Sequence, residues 1–301
     1  MRESGNPIYL LSGNASVEIR PHVTDLIIIP LRFRTKNNLL LRGIRYLCFQ
    51  LNLSRKIMCN RHNIDFFLFF LDAHTLVLPL LAAKLMGKKV SILLTASIKN
   101  TSDSQNDPFA NIILLQEKIS FRLANRIILY SGLLKWQWNM ERFAGKILIA
   151  HEHFLDFTKF TIITPYSDRP PLIGYIGRLS AEKGVQNFTE ALSTILNNHQ
   201  DLHVLIGGDG QLKETIEKSL QEQGIRSNVD LPGWISHDGL PKYLNQLRLL
   251  VLPSYTEGLP NIMLEAMACG TPVLATPVGA IPDVIQDEVT GFIMENNTPE
   301  C

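Results

Sequence analysis

The sequence lacks several patterns that would place it in a specialised class of protein. Only four of its 301 residues are cysteines, at positions 48, 59, 269 and 301, and they form no C-x-x-C pair. This usage excludes a disulfide-dense scaffold and a structural zinc site, and it favours a reducing compartment. The most apolar segment, residues 65–87, is interrupted by Asp72, His74 and Lys84, so it falls short of the ~18 residues of a spanning helix. The opening residues do not have a secretory signal pattern, and we expect a cytoplasmic location.

Acidic residues are absent from residues 26–64, whereas basic residues are frequent there. The basic residues are Arg32, Arg34, Lys36, Arg42, Arg45, Arg55, Lys56 and Arg61. They stand among Leu, Ile, Tyr and Phe, and a basic helix with an apolar face can lie on an anionic bilayer. One interpretation is that residues 32–61 dock the protein on the inner face of a membrane; an ordinary solvated basic face is the other. The aromatic residues are not interleaved as stacking platforms, so no nucleic-acid partner is predicted.

Short apolar runs alternate with amphipathic stretches along the whole chain. Strands are predicted at residues 8–12, 26–30, 65–71, 89–95, 126–131, 146–150, 172–177 and 202–207, with a short one near Val229. Helices are predicted at residues 39–58, 75–86, 109–124, 133–143, 185–197, 211–223 and 240–247. This alternation is typical of α/β domains built on doubly wound sheets. The less periodic, proline-containing stretch 153–171 marks a boundary between domains at residues 1–165 and 166–301.

Residues 254–268 read SYTEGLPNIMLEAMA, between the apolar runs RLLVLPS and TPVLATP. This order predicts a strand, a polar turn, a helix and a further strand. Pro260 suits the first turn of the helix, where its missing N–H costs nothing. Glu257 then lies in the loop at the carboxyl edge of the sheet, where ligands of α/β proteins bind, and Glu265 lies inside the helix. Two carboxylates at this spacing can contact one ligand at two points along its length, one near its reactive end and one further along.

Three further stretches follow predicted strands. Residues 177–184, GRLSAEKG, place Arg178 and Lys183 at a helix N-terminus, which favours anions. Residues 207–210, GGDG, allow backbone to approach a ligand, although such turns more often only connect elements. Residues 231–235, LPGWI, contain Trp234, which could stack on a ligand or fill the core, with packing slightly favoured.

The run PSYTEGLPNIMLEAMACGTPVLAT resembles the signature of family 4 glycosyltransferases, which have the GT-B fold. The resemblance implies two Rossmann-like, doubly wound domains that face a cleft. It implies retaining transfer of a sugar from a UDP- or GDP-linked donor to an acceptor hydroxyl on a lipid-linked or cell-surface glycan. The opening residues match the second strand of the family, so the first domain is expected to lack its first strand and glycine loop, and the second its terminal helices.

The resemblance also implies roles for individual residues. Glu257, Arg178 and Lys183 would act on the donor sugar and on the departing diphosphate. The donor-binding residues would be Gly177, Gly208, Asp209, Gly210, Trp234, Ser254, Gly258, Leu259, Pro260, Asn261 and Glu265, with Glu265 on the ribose hydroxyls.

No D-x-D sequence occurs, so we predict a metal-independent enzyme in which cations and helix ends replace Mg²⁺ or Mn²⁺. Ser97 stands where many family members have a histidine near the reacting sugar, and His74 either reaches the cleft or packs near a helix start. Two alternatives therefore stay open. The chain is a non-catalytic remnant that binds a nucleotide sugar, or it is a sugar-nucleotide epimerase of the same fold; turnover separates the three.

Overall fold

The computed structural model describes residues 8–12, 26–30, 39–70, 73, 75–94, 110–150 and 155–301. His74 and Ser97, together with the basic residues at positions 32, 34 and 36, lie outside these ranges. The chain divides into two compact units, of which the first runs to Leu93 and includes Asn111–Ile127, and the second includes Ile128–Cys301. The predicted boundary at residue 165 and the predicted cleft stay predictions. Among the described residues, no helix combines the length and the apolar character needed to cross a bilayer.

The elements before residue 150 alternate as the apolar runs predict. They are β1 (Ile8–Ser12), β2 (Leu26–Pro30), α1 (Leu39–Cys59), β3 (Phe66–Phe69), α2 (Val77–Leu85), β4 (Lys89–Leu93), α3 (Ala110–Leu123), β5 (Arg126–Leu129), α4 (Leu133–Gln137) and β6 (Ile147–Ile149). Strands β1 and β2 pair in parallel, and β3 to β6 form a four-stranded sheet in chain order. The predicted helix at residues 133–143 is wrong in its second half, because Asn139 has a φ of 53° and a 3₁₀ turn at Glu141–Lys146 follows.

The elements after residue 171 form one parallel sheet covered by helices. They are β7 (Leu172–Ile176), α5 (Val185–Asn198), β8 (His203–Gly207), α6 (Lys213–Glu222), β9 (Val229–Gly233), α7 (Leu240–Leu244), β10 (Leu249–Leu252), α8 (Asn261–Ala268), β11 (Val273–Ala275), α9 (Ile281–Val284) and β12 (Phe292–Ile293). Separate apolar clusters, one around Met263 and one around Leu192, are buried with the strands. Burial of this kind requires the near-continuous Val, Leu and Ile runs that the strands have.

The strand order of this sheet reverses at its centre. The order is β12-β11-β10-β7-β8-β9, and β7 pairs in parallel with β10. The chain therefore builds outwards from β7 on one side and from β10 on the other. The loops that follow these two central strands lead in opposite directions and leave a crevice between them. Ligands of open α/β sheets bind in such a crevice. Here the two loops are residues 177–184 and 253–260.

Asn245 holds the segment before β7 against this sheet through hydrogen bonds. Its side-chain oxygen accepts hydrogen bonds from the backbone N–H groups of Ile163 at 2.7 Å and Thr164 at 3.2 Å. Its amide nitrogen donates to the carbonyls of Thr161 and Pro241. The predicted helix at residues 240–247 ends early, at Leu244, and this buried asparagine is its C-cap.

Arg169 is a second buried residue that holds this segment in place, and its exposed fraction is only 2%. Its guanidinium donates to the carbonyls of Thr164, Leu247 and Cys269 and to the hydroxyl of Thr271, at distances of 2.6–3.1 Å. Burial lowers the pKa of this group. The charge is thus stabilised by carbonyl oxygens rather than by a carboxylate.

Candidate functional site

An ion pair joins the two loops at the point where the strand order reverses. The Nζ atom of Lys183 lies 2.7 Å from Oε1 of Glu257, and the Ser254 hydroxyl donates to the same oxygen at 2.7 Å. Glu257 is buried, whereas the Lys183 side chain retains 28% exposure. Both donors use Oε1, so Oε2 of Glu257 has no hydrogen-bond partner within the described residues.

Backbone contact holds the same two loops together. Gly184 has a φ of 65°, and a Cβ atom built on it would lie 1.9 Å from the carbonyl oxygen of Pro253. The backbone N–H of Tyr255 donates to the carbonyl of Glu182 at 2.9 Å. Only glycine fits a left-handed position against which another backbone packs. The position of Lys183 opposite Glu257 therefore depends on this close approach.

Arg178 lies in the same loop as Lys183 but pairs with a different carboxylate. Its side chain is 73% exposed, and its NH1 atom lies 3.8 Å from Oε1 of Glu182. That oxygen also accepts the Ser180 hydroxyl at 2.6 Å. Beneath the loop, the buried Tyr175 hydroxyl donates to the Arg178 carbonyl at 2.7 Å. Burial, followed by the nearby charge of Glu257, raises the pKa of Tyr175, so its phenol stays protonated and keeps donating.

The glycine turn after β8 packs directly on the loop after β7. Gly208 has a φ of 135°, and a Cβ atom there would lie 1.8 Å from the carbonyl oxygen of Gly177. The Gly208 N–H donates to the carbonyl of Gly233, at the end of β9, at 2.7 Å. The N–H of Gly210 donates to the side chain of Asp209. Three consecutive loops thus interlock at one edge of the sheet.

Trp234 follows β9 directly and is 72% exposed. The interpretation of this residue as a core side chain is therefore wrong. A tryptophan that stands in solvent at the carboxyl edge of a sheet offers a flat apolar surface. Stacking on a ligand base stays a prediction for it.

The turn before α8 differs from expectation in one detail. The helix begins at Asn261, and Pro260 is its N-cap with extended backbone, rather than a residue of the first turn. The Gly258 carbonyl accepts the N–H of Ala280 at 2.7 Å, while Leu259 packs partly into the core. The loop that carries Glu257 is therefore supported from the loop after β11.

Glu265 has a partner that the sequence analysis missed. This buried carboxylate accepts a hydrogen bond at 3.0 Å from Nε2 of His237, and Nδ1 of the same ring lies 2.9 Å from Nζ of Lys159. His237 lies in the loop after β9, so its place at the sheet edge could have identified it. Lys159 precedes β7, and no motif indicated it.

The structure places the predicted residues in the four loops that follow β7, β8, β9 and β10 and in helix α8. It joins Lys183, Ser254 and Glu257 directly, and it holds Arg178 in the neighbouring part of the loop. Within the described residues, no group of three or more His, Cys, Asp or Glu side chains could hold a metal ion. The catalytic and donor-binding roles, and metal independence, stay predictions.

These features define a class of protein. A parallel α/β sheet whose switch point carries a lysine, a helix N-terminus and two carboxylates is arranged to bind a phosphate-containing ligand with hydroxyl groups. Residues 157–301, which all lie in the second unit, match the family model described as glycosyl transferases group 1. The predicted resemblance to glycosyltransferases is thereby confirmed.

Similar proteins agree with this assignment. The chain is 34% identical over 134 residues to the alpha-D-kanosaminyltransferase of Streptomyces kanamyceticus, a match that covers 44% of this chain and 35% of that protein. Among solved structures, sucrose-phosphate synthase from Thermosynechococcus elongatus aligns with a TM-score of 0.72 and 19% identity, covering 93% of this chain and 73% of that one. Anabaena HepE in complex with UDP and glucose aligns with a TM-score of 0.69 and 16% identity, covering 92% and 74%. The two structures confirm the GT-B-like α/β fold, and the match to the curated relative spans about a third of its length.

Proposed function

We propose that this chain is a retaining, metal-independent glycosyltransferase that moves a sugar from a UDP- or GDP-linked donor to an acceptor hydroxyl. The observation that carries the proposal is the 2.7 Å contact between Lys183 and Glu257 at the switch point of a glycosyl transferase group 1 domain. A cation for the diphosphate and a carboxylate for the sugar are the two groups that such a transfer needs closest to the bond that breaks.

Lys183 and Arg178 would stabilise the departing diphosphate. As the bond from the anomeric carbon to the phosphate oxygen breaks, negative charge grows on that oxygen. Cations beside it stabilise the transition state more than the ground state. Helix α5 begins at Val185, two residues after Lys183, and its N-terminal N–H groups add partial positive charge at the same place. These groups supply the charge that a divalent ion supplies in metal-dependent enzymes.

The two carboxylates would hold hydroxyl groups of the donor. Glu257 and Glu265 are each engaged through Oε1, which leaves Oε2 available to accept a hydrogen bond from a ligand. Ionised carboxylates are strong acceptors for paired hydroxyls. We assign Glu257 to the transferred sugar and Glu265 to the ribose. A single carboxylate near the sugar disfavours a hydrolase with two catalytic carboxylates, and retention is what the resemblance to family 4 glycosyltransferases implies.

Helix α1 would dock the enzyme on an anionic membrane that holds a lipid-linked acceptor. One face of α1 packs inwards through Leu53 and Ile57. The large apolar residues that stay 42–58% exposed on it are Leu41, Ile44, Leu47, Leu51 and Met58. Arg55 and Arg61 are exposed among or just beyond these residues, and no acidic side chain occurs between positions 26 and 64 to oppose them. An apolar face flanked by basic groups fits an anionic bilayer.

Turnover of a donor panel tests the proposal. The full chain is incubated with UDP- and GDP-sugars, with and without an extract of polyprenyl-phosphate-linked or glycan acceptors, and UDP or GDP release and product sugars are measured. Acceptor-dependent release supports transfer, isomerised donor supports the epimerase, and binding without turnover supports the non-catalytic remnant. The last two results would each overturn the proposal.

Two site variants and two control variants test which residues form the site. Glu257→Gln and Arg178→Ala should each lower transfer roughly 10²–10³-fold, which is typical for the loss of one transition-state contact. Glu222→Gln and Lys218→Ala, which remove an exposed ion pair of 3.5 Å on α6, serve as matched controls and should leave transfer unchanged. Equal activity in both sets would refute the assignment.

A further inference from the structure

His237 connects two charged side chains. Its Nε2 atom lies 3.0 Å from Oε1 of Glu265 on α8, and its Nδ1 atom lies 2.9 Å from Nζ of Lys159. The edge of Phe160 meets the ring at a centroid distance of 5.2 Å. The imidazole is therefore oriented from three sides, although 63% of its side chain is exposed.

The partners of the ring determine where its proton lies. A lysine ammonium group can only donate, so Nδ1 of His237 must accept from Lys159. The remaining proton is then on Nε2, which donates to the Glu265 carboxylate. Asp238 accepts from Lys159 in turn, and this contact lowers the pKa of Asp238. The charges that face the ring are thus Lys159 and Glu265, with Asp238 behind the lysine.

The orientation of the Glu265 carboxylate depends on its contact with His237. It lies inside a helix with 8% exposure, and within the described residues His237 is the only hydrogen-bond donor to its carboxylate. An oxygen held at 3.0 Å from a fixed ring sets the rotation of the whole carboxylate. The other oxygen, Oε2, is then directed by the same contact.

We propose that His237 is a positioning residue, which holds Oε1 of Glu265 so that Oε2 presents a fixed acceptor to the paired hydroxyls of a nucleotide ribose. The proposal rests on the proposed function, because it assigns Glu265 to the ribose. It predicts that the contribution of His237 to nucleotide binding requires the ribose hydroxyls. A merely structural role would weaken binding of nucleotides with and without those hydroxyls alike.

Isothermal titration calorimetry of the full chain with UDP, GDP and their 2′,3′-dideoxy analogues tests this. His237→Ala should weaken binding of the preferred ribonucleotide about tenfold, the effect of one hydrogen bond to a charged group, and should change binding of the dideoxy analogue less than twofold. His237→Gln should restore much of the affinity, because its amide can donate from nearly the same place. His199→Ala serves as the matched control, since this exposed histidine follows α5, at the opposite edge of the sheet from Glu265.

Glu265→Gln separates the two claims. If it weakens ribonucleotide binding and His237→Ala does not, the positioning role is overturned while the assignment of Glu265 stands. If it leaves ribonucleotide binding unchanged, or if the wild-type chain binds neither UDP nor GDP, the assignment and the positioning role both fail. Equal losses for the ribonucleotide and the dideoxy analogue in His237→Ala would also overturn the positioning role.

Discussion

Replacing Gly184 with alanine should separate the two loops that carry Lys183 and Glu257. Gly184 has a φ of 65°, and the new Cβ atom would lie 1.9 Å from the carbonyl oxygen of Pro253. Ordinary contact between such atoms begins near 3.4 Å, so one loop must move by roughly 1.5 Å. The displaced atoms are one residue from Lys183 and four from Glu257. The substitution therefore acts on the site without removing any of its side chains.

The expected loss of stability in Gly184→Ala has two separate contributions. An alanine in the left-handed region costs about 1 kcal/mol, and relief of an overlap in a packed region costs about 1–3 kcal/mol more. We expect Gly184→Ala to lower the free energy of unfolding of the second unit by about 2–4 kcal/mol. A shift of about 1 Å at a reacting group can cost ~100-fold in rate, so transfer should fall at least that far in protein that is still folded.

Gly224→Ala is the matched control for this experiment. Gly224 has a φ of 70°, but a Cβ atom on it would meet nothing within 4 Å. This variant has the conformational cost without the overlap, so it should lose about 1 kcal/mol and no activity. Urea unfolding followed by circular dichroism, together with the transfer assay below each midpoint, measures both quantities. Activity of Gly184→Ala within threefold of Gly224→Ala would refute the dependence of the site on this close approach.

Four further predictions concern stability, thiol reactivity, metal dependence and membrane binding. Arg169→Met should lower the free energy of unfolding by about 3 kcal/mol, because it leaves several buried carbonyls without a donor; a loss under about 1 kcal/mol would contradict this. Burial also raises the pKa of the Cys269 thiol, so iodoacetamide at pH 8 should label the exposed Cys301 quickly and Cys269 slowly; equal labelling rates would contradict this. EDTA should leave transfer unchanged, and a loss restored by Mg²⁺ or Mn²⁺ would contradict metal independence. The chain should sediment with anionic liposomes more than with neutral ones, and Arg55→Glu combined with Arg61→Glu should remove the difference; equal binding to both vesicles would contradict docking.

The strands and most helices could be predicted because parallel α/β sheets leave a direct signal. Buried strands read as short apolar runs, and each run here lies within a few residues of an observed strand. The loops that carry Arg178, Lys183 and Glu257 could be placed because ligand loops follow such strands. The contact between Lys183 and Glu257 could not be predicted. It depends on β7 and β10 being neighbours, and pairing of distant strands leaves no local pattern.

The errors have local physical causes. The helix predicted at residues 133–143 stops because Asn139 adopts a positive φ, which asparagine tolerates and periodicity does not register. Trp234 was interpreted as a core residue because large aromatic side chains are usually well buried, but its neighbour Ile235 takes the inward position beside Gly207. His237 was missed because no motif covers it, and only its place in the loop after β9, at the edge of the sheet, could have indicated it. Its contacts are with Glu265, 28 residues later, and with Lys159, 78 residues earlier, and such distant pairs leave no local pattern.

The interlocked loops explain how a site with few fixed side chains can still be preorganised. Arg178 and Lys183 are long side chains, and their order must come from the backbone below them. That backbone is held by the contacts of Gly208 with Gly177 and of Gly184 with Pro253. Because these contacts join main-chain atoms, they order the loops without any loss of side-chain rotamer freedom. Charges fixed in this way need little reorganisation when charge develops on a leaving group, which is the condition for electrostatic catalysis. The glycines of the site are therefore expected to matter as much for rate as the residues that touch the ligand.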